Sequence, residues 1–116
     1  MSVMSDLGSE VADAPVTLEL TVSENEGETV LSAAGELDVN TAPELREQLA
    51  QLVDDGVRIV VDLADVSFVD STALSVLVSA LKRLRQADGD LTLASPTPSV
   101  RRVFEITGLT RLFTIR

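Results

Sequence analysis

Apolar and polar positions alternate through residues 16–22, where Thr17, Glu19 and Thr21 separate Val16, Leu18, Leu20 and Val22. This period of two predicts a strand with one buried face. Asn25-Glu26-Gly27-Glu28 supplies hairpin chemistry, and residues 29–34 return as a second strand antiparallel to the first. Gly35-Glu36-Leu37-Asp38 leaves that strand. A helical period begins at Asn40-Thr41-Ala42-Pro43-Glu44, where proline is tolerated in the first turn and Thr41 stands at capping-box spacing from Glu44. Leu45, Leu49, Leu52 and Val53 share one face of this helix, and Asp54-Asp55-Gly56 provides its stop. Residues 57–63 carry Ile59, Val60, Val61 and Leu63, apolar on both alternating faces as a strand in mid-sheet requires.

A buried strand ends within Val66-Ser67-Phe68-Val69, and Asp70-Ser71-Thr72 leads into a helix over about residues 72–87. Plotted at about 100° per residue, Ser71, Ser75, Ser79, Lys82 and Gln86 form one polar stripe. Ala73, Val76, Leu77, Ala80, Leu81 and Leu84 lie opposite, with Leu74 and Val78 on the border, where they either reach a partner or widen the core face. Residues 91–94 predict another strand, Ser95-Pro96-Thr97-Pro98-Ser99 a loop, residues 100–106 a short helix stopped by Thr107-Gly108, and residues 112–115 a last strand. Residues 1–14 lack a period and read as a flexible tail, so the folded domain spans residues 15–116. The order β-β-α-β-α-β-α-β implies one open, mostly parallel α/β sheet of about five strands, with an N-terminal β-hairpin, about three packed helices and right-handed crossovers.

Composition narrows the chemistry. The 116 residues contain neither cysteine nor histidine, which removes thiol and Ser-His-Asp catalysis and the usual zinc ligands. Phosphate-cradling glycine motifs and the G-x-S-x-G elbow do not occur either, so the expectation is no enzyme, no cofactor and no metal. An enzyme using Ser71 as nucleophile would lack an evident general base. Net charge is −10, and residues 1–55 hold thirteen acids against one arginine. With three aromatic residues in all, this surface argues against nucleic acid as a partner. The absence of an apolar run near 20 residues argues against membrane insertion, and a cytoplasmic location is expected.

The candidate site is the strand-to-helix junction. Backbone N–H groups in a first helical turn lack intrahelical partners and carry partial positive charge, so an oxygen or a phosphate on Ser71 would be welcome there. The alternative is that Asp70, Ser71 or Thr72 merely caps the helix. Asp70 can orient the Ser71 hydroxyl or hold a kinase's metal-bound nucleotide, but capping is the favoured reading. Thr72 is either a second acceptor or a satisfier of first-turn backbone groups.

Three patterns stand in order: Gly35-Glu36-Leu37-Asp38 with Thr41-Ala42-Pro43, then Phe68-Val69-Asp70-Ser71-Thr72-Ala73-Leu74, then Phe104-Glu105-Ile106-Thr107-Gly108-Leu109. Together they resemble the STAS family, specifically bacterial anti-sigma factor antagonists, over about residues 16–116. The resemblance implies a transcription regulator, with stress response as its expected setting. The unmodified antagonist binds an anti-sigma factor that is also a serine kinase and so frees the sigma factor. Phosphorylation, which maps onto Ser71, ends that complex, and a PP2C-type serine phosphatase restores it. The implied partner surface comprises Glu36, Leu37, Asp38, Asp70, Ser71, Thr72, Leu74, Ser75 and Val78, with Glu36 and Asp38 meeting basic groups. Related domains instead serve as regulatory subunits docked on ATPases of membrane transport systems, without a phospho-switch. This chain departs from the family pattern at Ala73, which puts a methyl group in place of the motif glycine, where a kinase backbone would approach. Many members also continue into a final helix, whereas this sequence stops at Arg116, so sheet coverage there is expected to be reduced or supplied by a partner.

Overall fold

The computed structural model describes residues 18–116; the expected tail, with Val16 and Thr17 of the first expected strand, lies outside them. Strand β1 (Leu18–Asn25) and strand β2 (Glu28–Leu37) pair antiparallel from Leu18 opposite Gly35 to Asn25 opposite Glu28. Glu26 (φ 51°) and Gly27 (φ 83°) form the turn with both central residues left-handed, the geometry whose twist suits a two-residue hairpin. Alternation on β1 buries Leu18 and Leu20 only partly and leaves Val22 exposed, because β1 is the edge of the sheet. The sheet order is β1-β2-β3-β4-β5, with every pair after the hairpin parallel.

Strand β3 (Arg58–Val69) takes the central place its two apolar faces require: Ile59, Val60 and Val61 are all buried. Residues 58–63 of the expected apolar run and the strand end expected at Val66–Val69 belong to this one strand. It runs on to Val69, passing two register shifts against β2, between Ser32 and Ala34 and between Gly35 and Glu36. Each shift inserts one extra residue in β3, which accommodates the exposed pairs Ala64-Asp65 and Ser67-Phe68 and returns Val66 and Val69 to the interior. Strand β4 (Asp90–Ala94) meets β3 only along Arg58–Asp62, so β3 outruns it. β2 likewise continues to Leu37, so Gly35, Glu36 and Leu37 belong to a strand and not to an exit loop.

Helix α1 (Ala42–Leu52) packs on helix α2 (Ser71–Gln86), and helix α3 (Pro98–Ile106) lies against β3. The two stripes expected on α2 are present: Ser71, Ser75, Ser79, Lys82 and Gln86 are exposed, while Ala73, Val76, Leu77, Ala80, Leu81 and Leu84 are buried. They meet Leu31, Leu45, Leu49 and Leu63 in one core. Burying each such leucine contributes about 2 kcal/mol. α3 starts two residues before its apolar pattern, because Thr97 Oγ1 accepts from the Val100 N–H (3.3 Å) and Pro98 occupies the first turn. Phe104 of α3 stacks edge-on against Phe113, with centroids 5.9 Å apart. Gly108 (φ 78°) turns the chain into a 3-10 turn, Leu109–Arg111, which leaves only Thr114–Ile115 for strand β5.

Candidate functional site

Asp70 joins β3 to α2. Its extended backbone (φ −116°, ψ 179°) leaves the side chain free to turn forward, and Oδ1 accepts from the Ala73 N–H at 3.0 Å. This is the capping role favoured from the sequence. Ser71 follows as the first residue of the helix, one place earlier than the apolar pattern indicates, and it is exposed. Among the described residues its hydroxyl has no hydrogen-bond partner; its carbonyl accepts from the Ser75 hydroxyl at 3.1 Å. The oxygen therefore stands at the positive end of the α2 dipole and points to no internal acceptor.

The turn between β2 and α1 comes to the same place. Asp38 Oδ1 accepts from the N–H groups of Asn40 (2.9 Å) and Thr41 (3.0 Å), folding the turn on itself. Thr41, 1% exposed, donates its hydroxyl to the Glu36 carbonyl (2.8 Å) and accepts from the Asp38 N–H (2.9 Å). It therefore faces back into the turn, and the capping box with Glu44 is not formed. Across from it, Asp70 Oδ2 accepts from the Val39 N–H at 3.0 Å. No group of three or more His, Cys, Asp or Glu side chains suited to a metal ion occurs among the described residues.

This combination of fold and junction has counterparts. The model of the STAS domain matches residues 19–116. The chain belongs to the STAS domain family. The STAS domain is 38% identical over 94 residues to the anti-sigma-B factor antagonist of Bacillus subtilis, covering 81% of this chain and 86% of that one. It is 46% identical over 80 residues to the anti-sigma-B factor antagonist of Staphylococcus aureus, covering 68% and 74%. A crystal structure of an anti-sigma factor antagonist from Mycobacterium paratuberculosis matches with a TM-score of 0.78 at 31% identity, covering 88% and 87%.

On this STAS domain, Glu36, Ser71 and Ser75 are exposed, and Asp38, Asp70 and Thr72 are half-buried around them. Two expected partner residues are not surface groups. Leu37 is fully buried because it sits opposite Val69 in the sheet with its side chain in the core, and Leu74 is 5% exposed because it widens the core face of α2. Val78 is half-buried against the same core. Ala73 is also fully buried, so its methyl group faces inward and is not presented at the surface. The sequence reading missed Val39, 61% exposed in the turn, and Phe68, 49% exposed opposite Glu36. Phe68 and Ser67 lie together between the buried Val66 and Val69, because the register shift against β2 between Gly35 and Glu36 breaks strict alternation, and no local pattern marks that shift. Val39 stands inside a polar turn and carries no signal either.

Proposed function

We propose that this STAS domain is an anti-sigma factor antagonist that works by partner switching in the cytoplasm. The observation that carries the reading is the Ser71 hydroxyl, exposed at the first position of α2 and without an internal partner among the described residues. The names of its relatives point to an anti-sigma factor as the binding partner. In the unmodified form, Glu36, Asp38, Asp70, Ser71, Thr72 and Ser75 meet that factor and draw it from its sigma factor. The anti-sigma factor also acts as the kinase. The Ser71 oxygen attacks the γ-phosphorus of ATP, an O–P bond forms as the bond to the β,γ-bridging oxygen breaks, ADP leaves and the hydroxyl proton passes through a base of the kinase to water. A PP2C-type phosphatase transfers the phosphoryl group to water and restores the hydroxyl.

The phosphate adds about −1.5 to −2 charges and three acceptor oxygens. At a helix N-terminus this anion is compatible with the fold. Within a close interface it is bulky, must lose hydration and repels carboxylates, and a loss of about 3 kcal/mol weakens binding more than a hundredfold. The test is a pull-down and calorimetric titration with unmodified and Ser71-phosphorylated protein. Ser71→Ala is expected to bind and to resist phosphorylation, and Ser71→Glu to bind poorly with an unchanged melting temperature. Labelling by kinase and ATP at another residue, or equal affinity of both forms, would overturn the reading. Recovery of a transport ATPase in place of a kinase would support the regulatory-subunit alternative.

A further inference from the structure

Resting on that reading, we propose that Asp70 is a positioning residue: its carboxylate fastens the β2–α1 turn to the start of α2, and phosphorylation of Ser71 undoes the fastening. Every polar group of Asp70 is engaged. Its N–H donates to the Leu37 carbonyl and its carbonyl accepts from the Leu74 N–H, both at 3.0 Å. Oδ1 accepts from the Ala73 N–H and Oδ2 from the Val39 N–H, also both at 3.0 Å. The remaining amides of the turn close on the turn itself, Asp38 on Thr41 Oγ1 and Asn40 and Thr41 on Asp38 Oδ1. Val39 to Asp70 is thus the one side-chain hydrogen bond, among the described residues, that ties residues 38–41 to α2. That bond sets where the Val39 side chain, 61% exposed, stands relative to the acceptor.

A phosphate on Ser71 acts on this carboxylate in two ways. It is a like charge on the adjacent residue, too close for salt to screen. It is also drawn to the N–H groups of the first turn, including that of Ala73, which the Asp70 carboxylate now serves. The carboxylate turns away, the phosphate takes over the capping of α2, and the Val39 N–H loses its acceptor. Asp38 and Thr41 keep the turn folded internally. Modification at one residue therefore alters two parts of the docking surface, the acceptor and the apolar side chain beside it.

The test is amide exchange with water, followed by NMR on the full chain, unmodified and carrying phosphoserine introduced at position 71 during synthesis. Neither kinase nor partner is present, so the result is independent of whether the antagonist reading holds. Phosphorylation is expected to speed exchange at Val39 by about fivefold or more while Asn40 and Thr41 stay within about twofold. Asp70→Ser separates the two functions of the carboxylate, because a serine oxygen caps α2 but cannot also reach Val39. In the unmodified chain it should give the fast Val39 amide with a melting temperature close to that of the parent. An unchanged Val39 amide in the phosphorylated chain would overturn the proposal, and so would joint loss of protection at Val39, Asn40 and Thr41. If either result accompanied phosphorylation-dependent release of the anti-sigma factor, the switch at Ser71 would stand without Asp70.

Discussion

The body of α2 and its first turn belong to one helix but are held by different forces. From Val76 to Leu84 the helix is fixed by aliphatic side chains packed against α1 and the sheet, with Leu77, Leu81 and Leu84 wholly buried. At Asp70 and Ser71, and in the turn at residues 38–41, the fastening is a set of directional hydrogen bonds, some from side chain to main chain and some between main-chain groups. Apolar burial is large and non-directional, whereas each such hydrogen bond contributes about 1 kcal/mol and depends on geometry. The body can therefore hold the fold while the junction is rebuilt by a single charged group. On the reading proposed above, that division lets Ser71 be modified while the core keeps the fold.

Substitutions in the two regions should separate along this line. Leu77→Ala, in the body, is expected to cost about 3 kcal/mol by urea denaturation, because it opens a cavity at a fully buried site. A loss below about 1 kcal/mol would break the contrast. Thr41→Val, under the junction, strips the Glu36 carbonyl of a donor and the Asp38 N–H of an acceptor at a buried position, and about 2 kcal/mol is expected. Parent-like stability would mean that water replaces the hydroxyl. Ser75→Ala removes only an exposed hydroxyl bonded to the Ser71 carbonyl, and a change under about 0.5 kcal/mol is expected. Any effect of Ser75 should then show in titration with the anti-sigma factor and not in denaturation, which would sharpen the boundary between scaffold and docking surface.

What could be read from the chain alone follows the range of the forces involved. The stripes of α2, the hairpin and the central place of β3 rest on periodicities that local sequence carries, and these agree with the structure. The cap at Asp70 also follows from its neighbours. Leu37, and Leu74 in the partner-facing one of its two readings, differ from the structure for another reason. Each lies in a motif the family resemblance ties to a partner, yet each is an apolar side chain at the inward position of its own element. Thr41 matched a local capping pattern that lost to two bonds reaching back into the turn. The bond from Val39 to Asp70 spans 31 positions, and no local pattern announces it.

β3 has a consequence for access. While β2 advances five positions from Ser32 to Leu37, β3 advances seven from Asp62 to Val69, and β4 has already ended opposite Asp62. Among the described residues, Ser71 thus stands beyond the end of β4, just past a stretch of β3 that has β2 but not β4 as its sheet neighbour. On the reading proposed above, a kinase reaches that hydroxyl past a flank where a longer β4 would stand about 4.8 Å from β3.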